Sequence, residues 1–309
     1  MLKAKDLLQH RYRLDQPLAR GSMGMVWQGT DQHLGRPIAI KVVHTSESGD
    51  DGSRLLARFR REAATAALLN HPNIAGVHDA GATADGICWL VMQLIEGATV
   101  DCLLSERGPF TVAAAAAVAS QVCAGLAEAH KQQLVHRDLK LANLMVDRAG
   151  LVKILDFGLV KLLAEQATRL TVTGENVGNV LYASPELIRG DDALDGRSDL
   201  YAVGCLLHHL LTGSAPFAPE PLPLLAGQHL LREPPTLADC GIEVPPRLQD
   251  LVLALLAKEP GGRPDSAAAV HAALAEYVPS PRVGGAASGI AASEDPCRPF
   301  LFPFAPLPG

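Results

Sequence analysis

The sequence lacks what three common protein classes need. Its six cysteines, at positions 88, 102, 123, 205, 240 and 297, show no Cys-x-x-Cys spacing and read as scattered thiols of a reduced compartment. No run of about 18 uninterrupted apolar residues is present, which sets the expectation of no membrane span. The start, Met1-Leu-Lys-Ala-Lys-Asp-Leu-Leu-Gln-His10, lacks the apolar segment of a secretory signal. Positive charge is also short. Lys and Arg number 27 against 33 Asp and Glu, a net charge of −6, with no basic block. That balance makes a nucleic-acid partner a poor expectation. Together these absences point to a soluble, cytoplasmic chain. What is present is core material: 48% of the 309 residues are hydrophobic and 19% charged, which excludes disorder of the whole chain.

The pattern divides into two parts and a tail. Tyr12–Leu18, Met25–Thr30, Pro37–Val43, Ile74–Ala80 and Ile87–Leu94 read as strands, with one helix, Arg54–Leu69, stopped at Asn70-His71-Pro72. After Gly97 helices dominate: Thr111–Gln133, Leu200–Leu211, Pro246–Ala257 and Ser266–Tyr277. Between the first two, Asn143–Val146 and Leu151–Leu155 flank Asp147-Arg148-Ala149-Gly150, a hairpin signal. The expected class is therefore α+β in two lobes. Residues 1–95 form a small β-rich lobe with one main helix; residues 96–278 form a larger, mainly helical lobe. Residues 279–309 hold seven prolines and four glycines, and read as a disordered tail.

Several residues carry chemistry. Period-two alternation sets Ile38, Ile40 and Val42 on one face of a strand, and Ala39, Lys41 and Val43 on the other. An unpaired ammonium among small apolar groups is costly, so Lys41 needs an anion. On the following helix Phe59, Glu62 and Ala66 share a stripe, and Glu62 is the natural partner. On the residues alone the alternative stays open: Lys41 reaching solvent and Glu62 pairing with Arg58. Upstream, Leu18-Ala-Arg-Gly-Ser-Met-Gly-Met-Val26 places Gly21 and Gly24 between two strands. Such glycines let backbone N–H groups approach phosphate oxygens, although an ordinary hairpin also uses them. More specific is His136-Arg-Asp-Leu-Lys-Leu-Ala-Asn143, followed after the hairpin by Asp156-Phe157-Gly158. One carboxylate accepts a proton, an amide oxygen and a second carboxylate suit Mg²⁺, and a lysine neutralises a transferring phosphoryl group.

In this order, Ala39-Ile-Lys41, Glu62 before His71-Pro-Asn-Ile74, His136-Arg-Asp138, Asp156-Phe-Gly158 and Ser184-Pro-Glu186 resemble the protein-kinase superfamily, most closely the eukaryotic-type serine/threonine kinases of bacteria. The resemblance covers residues 12–278 and implies a bilobal kinase-like fold using ATP and Mg²⁺ on protein Ser/Thr hydroxyls. It makes Asp138 the catalytic base and puts Lys140 near the γ-phosphate. Asn143 and Asp156 become the metal ligands. Leu18, Gly21, Gly24, Val26, Ala39, Lys41, Glu62, Met92, Gln93, Ile95 and Met145 form the nucleotide-binding set, with Glu62 clamping Lys41. Thr171 and Thr173 match positions of autophosphorylation. Glu186 pairs with Arg263, and Asp199 braces the loop of Asp138 or simply caps a helix. Asn179 stands where the family usually has threonine, which leaves a second reading, a nucleotide-binding pseudokinase scaffold. The resemblance also leaves room for a regulatory partner or a dimer.

Overall fold

A computed structural model of the chain describes residues 2–21, 24–44, 50–83, 87–157, 180–191, 193–217 and 219–278. The tail, Thr171, Thr173 and Asn179 lie outside these residues. The described residues divide into two compact units. One comprises those up to Ile95 together with Asp156 and Phe157; the other runs from Glu96 to Leu155 and from Val180 onward.

The first unit is a six-stranded antiparallel sheet in the order β1-β2-β3-β4-β6-β5. Its strands are β1 (Leu7–Leu8), β2 (Tyr12–Gly21), β3 (Gly24–Asp31), β4 (Arg36–His44), β5 (Val77–Ala82) and β6 (Ile87–Gln93). The alternation expected for β4 is observed. Ile38, Ile40 and Val42 are buried in one apolar cluster with Tyr12, Trp27 and Trp89. The β3–β4 hairpin is closed by Asp31, whose carboxylate takes the backbone N–H groups of His33 and Leu34 and a two-point bond from Arg11. Those bonds, Arg11 first, hold the Asp31 carboxyl down at about 2. Helix α1 (Asp50–Ala67) starts earlier than its sequence pattern suggests and packs on β5. Its buried stripe runs Phe59, Ala63 and Ala66, which leaves Glu62 half-buried at the margin.

The second unit has a small sheet, β7 (Gly97–Thr99), β8 (Leu144–Asp147) and β9 (Val152–Ile154), and helices α2 (Val100–Arg107), α3 (Val112–Lys131), α4 (Pro185–Arg189), α5 (Gly196–Thr212), α6 (Leu222–Leu231), α7 (Pro246–Leu255) and α8 (Ala267–Leu274). Thr111, Asp195 and Ser266 each cap a helix by accepting a backbone N–H, the usual device for the unpaired first turn. Helix α3 is the one described helix long and apolar enough to cross a bilayer by length and composition, so the test of uninterrupted apolar runs missed it. Of its most apolar window, 67% is buried inside the protein, where α5 and α8 pack on it. An Ala-rich surface lets those helices approach closely, and α3 serves as the central helix of this unit.

Candidate active site

In the β-rich unit, strand register places the candidate residues. Lys41 lies on β4 opposite Val26 of β3 and Leu90 of β6, and Ala39 lies opposite Met92. Ala39, Val43 and Met92 are buried, so the ammonium needs a carboxylate, and it has one. That carboxylate is Asp156: Nζ and Oδ2 are 2.7 Å apart. The contact of Lys41 in this structure is thus with Asp156 and not with the expected Glu62. Glu62 sits half-buried beside the inward stripe of α1 and has interactions of its own. Ala63, not Glu62, takes the innermost position after Phe59, because the stripe advances by four residues there rather than three.

Asp156 carries a second peculiarity. Its backbone is left-handed, φ +53°, and its Oδ1 is buried without a hydrogen-bond partner. A buried carboxylate oxygen with nothing to accept from is expensive, and a hard cation relieves it. In the helical unit, Asn143 donates its amide N–H₂ to the Asp138 backbone carbonyl at 2.7 Å and to Asp138 Oδ2 at 3.1 Å. The amide oxygen is then the end left for a cation. Both residues fit the donor set expected for Mg²⁺.

Gly24 answers to the sheet before any ligand. Its φ is +150°, and an added Cβ would lie 2.0 Å from the Val42 carbonyl oxygen. Gly21 pairs with Gly24 in the β2–β3 ladder, and Leu18 is exposed on β2. Gln93 spends its N–H on Gly76 O at 2.8 Å, and Met92 and Ile95 are buried on either side of it. Met145, of the helical unit, is half-buried between Thr99 of β7 and Lys153 of β9.

Hydrogen bonds from the helical unit hold the loop of residues 136–143. Asp199, buried on α5, accepts from the backbone N–H of His136 at 2.9 Å and of Arg137 at 3.0 Å, and contacts His130 Nε2 at 2.8 Å. Burial alone would raise this carboxyl; the bonds from His130 and the loop outweigh it and hold it below the ordinary carboxylate range. These bonds keep Arg137 in a left-handed conformation, φ +63°, costly for a side chain of its size. Asp195, not Asp199, caps α5, so of the two readings of Asp199 the bracing one is observed. His136 completes the arrangement. Its Nδ1 accepts from Asp138 N at 3.3 Å, which puts its proton on Nε2, 2.8 Å from Leu155 O. The Asp138 carboxylate is thus presented with Lys140 Nζ 3.0 Å from Oδ2.

Arg137, Asp138 and Lys140 line a small pocket together with Tyr182, Ala183 and Leu187. The latter segment is anchored by Glu186, which receives two bonds from Arg263, at 2.6 and 2.9 Å, with both side chains buried. Burial pushes Glu186 up, and Arg263 more than offsets it, leaving the carboxyl below its ordinary value. Sequence reasoning missed His130. A histidine in the last turn of an apolar helix carries no signal of its own, and only the fold brings it to Asp199.

Residues 12–275 match the family described as protein kinase domain. Relatives include the serine/threonine-protein kinase PknL of Mycobacterium tuberculosis, 41% identical over 287 residues, which covers 89% of this chain and 70% of that protein. The serine/threonine-protein kinase PknB of Mycolicibacterium smegmatis is 36% identical over 270 residues, covering 86% of this chain and 43% of the relative. PknB of Mycobacterium bovis is also 36% identical, over 272 residues, with the same shares.

Proposed function

This chain belongs to the protein kinase family and is a serine/threonine protein kinase, and from that premise we propose how the transfer is divided among its residues. Family membership carries the use of ATP and a divalent metal, with proteins as acceptors. The finer assignments are ours. In the β-rich unit, Gly21, Gly24, Val26, Ala39, Met92, Gln93 and Ile95, with Leu18, serve the nucleotide, and Lys41 takes its α/β-phosphates. Glu62 is assigned as the partner of Lys41 in the nucleotide-bound state. In the helical unit, Asp138 accepts the proton of the acceptor hydroxyl as its oxygen bonds to the γ-phosphorus and ADP departs. Lys140 offsets charge on the phosphoryl group, and Met145 supports the base.

Asn143 and Asp156 would hold Mg²⁺, which when bound supplies positive charge against the phosphate oxygens. Little covalent work is asked of the protein in such a reaction. It orients groups and neutralises charge, and groups fixed beforehand do this without reorganising. The observation that carries the reading is the bracing of Asp138: its backbone tied through His136 and Arg137 to buried Asp199, its carboxylate met by Asn143 and Lys140. We further assign autophosphorylation to Thr171 and Thr173, residues 1–95 and 96–278 to the two kinase lobes, and the whole to the cytoplasm.

The test is incubation of the pure chain with labelled Mg-ATP and a basic protein acceptor, followed by mapping of the modified residues. Asp138→Ala and Lys41→Ala should each lower turnover by at least about 100-fold, the usual effect of losing one preorganised charge. Wild-type levels of transfer by either variant would overturn the roles assigned to these two residues. Phosphate on residues other than Thr171 and Thr173 would move the modification site.

A further inference from the structure

The helical unit covers nearly all of its large apolar side chains. Among its described residues only two are exposed, Leu224 at 59% and Leu231 at 84%, and both belong to α6. They stand seven residues apart, close to two helical turns, so they share one face about 10 Å from each other. Leu225 and His229 of the same helix face inward and are buried. A single exposed leucine needs no explanation, but two aligned on the outer face of one short helix with a glycine between them call for one.

That glycine is Gly227. Glycine is a poor helix former, and nothing around this one requires it. Its φ is not positive, and a Cβ added there would meet no described atom within 4 Å. The missing side chain therefore leaves a notch between the two leucines. Helix α6 also contains no Asp, Glu, Lys or Arg, so covering its outer face strips water from no charged group.

The sequence holds a segment of matching chemistry. Residues 299–309, Pro-Phe-Leu-Phe-Pro-Phe-Ala-Pro-Leu-Pro-Gly, lie outside the described residues, carry no charged side chain and contain three of the chain's seven phenylalanines. Prolines at 299, 303, 306 and 308 deny it a helix or a sheet ladder of its own and bias the residues ahead of them to extended backbone. Alternate residues of an extended chain share a side, which gives Phe300, Phe302 and Phe304 one apolar edge with a spacing of about 7 Å. Residues 279–299 link this segment to Val278, on the unit that carries α6. A flexible linker of that length spans about 25 Å on average and about 70 Å at full stretch. A unit of this size has a radius of gyration of about 16 Å, so the linker reaches any of its faces. Tethering also sets the local concentration of the segment in the millimolar range, ahead of a free partner of equal affinity.

We propose that residues 299–309 dock on the outer face of α6, the Phe302 ring lying over Gly227, with Phe300 and Phe304 against Leu224 and Leu231.

The experiment places p-benzoylphenylalanine at position 302 of the whole chain. Light joins that ring to what it touches, and mass spectrometry locates the joint. The joint should fall within residues 222–231 of the same chain, with a yield independent of protein concentration. Leu224→Ser combined with Leu231→Ser should lower that yield about tenfold. Gly227→Leu adds apolar surface and helix propensity but fills the notch, and should lower it about fivefold. These positions are exposed or open, so the variants keep the fold, which far-UV circular dichroism checks. An undiminished yield in either variant would overturn the proposal. So would a joint elsewhere on the chain, or one between two chains that grows with concentration, the mark of a second copy on this face.

Discussion

Asp156 of the β-rich unit and the carboxylates Asp199 and Glu186 of the helical unit are held by different means. In the β-rich unit Lys41 and Asp156 meet through one contact of 2.7 Å, with 17% and 15% of their side chains exposed, and one oxygen of Asp156 goes unmatched. In the helical unit Asp199 and Glu186 are buried, Asp199 accepting three hydrogen bonds and Glu186 a two-point bond from Arg263. A single partly exposed pair is worth little in water and is readily exchanged for another ligand. A buried carboxylate with every oxygen engaged is not exchanged. It fixes the backbone around it, because each N–H it releases would be stranded away from water. The contrast teaches that Asp156 keeps its charge available, whereas Asp199 and Glu186, like Asp31 at the β3–β4 hairpin, serve as framework.

The sharpest way to break this contrast is to remove a framework carboxylate. Glu186→Ala leaves the Arg263 guanidinium buried without its carboxylate and should cost about 3–5 kcal/mol in denaturant unfolding. A loss below about 1 kcal/mol, the level of an exposed pair, would erase the distinction between framework and available charge.

Acid should separate the units next. Burial lowers His208, His209 and His229 in the helical unit below the ordinary 6.5, and His229 reaches about 4. An unfolded chain takes up these protons first, so the stability they confer is present above pH 6.5 and is lost as pH falls from there toward 4. For His229 alone the loss is on the order of 3 kcal/mol by pH 4. In the β-rich unit burial lowers the less buried His78 in the same way. Both tryptophans, Trp27 and Trp89, belong to that unit, so their fluorescence follows it while far-UV circular dichroism follows the helices. Helical signal should fall at a higher pH than tryptophan fluorescence changes. Coincident transitions would show that the units respond to acid as one.

The smallest expected effect refines the β-rich side. Gly24→Ala drives a Cβ toward the Val42 carbonyl at a φ that suits only glycine. It should cost about 1–3 kcal/mol of stability even with no nucleotide present. A variant of wild-type stability that binds ATP poorly would mean that the glycine serves the ligand and not the sheet.

Much of the fold was legible because it follows local rules. The β4 alternation, the proline stop after α1, and the Asp147–Gly150 hairpin were each written in a few adjacent residues and appear within a few positions of their expected bounds. Helices α2 and α6 were missed for the same reason inverted. Each buries only two residues, so no 3.6-residue period rises above the background. In the site, the identities of Lys41, Asp138, Asn143 and Asp156 could be read from order and type, but the partner of Lys41 could not. Glu62 lies nearby in sequence, whereas Asp156 is 115 positions away, and no local pattern reports a contact over that separation.

From the sequence alone came the class of chemistry, the order of the chemical groups and the division into a β-rich and a helical part, since these depend on residue type and on periods of two and 3.6. Tertiary structure alone decided that Asp199 braces a loop instead of capping a helix, that His130 and His136 share that task, and that Arg263 reaches Glu186 out of water. Each of those facts depends on which distant groups are shut away from water together, and no local pattern records that.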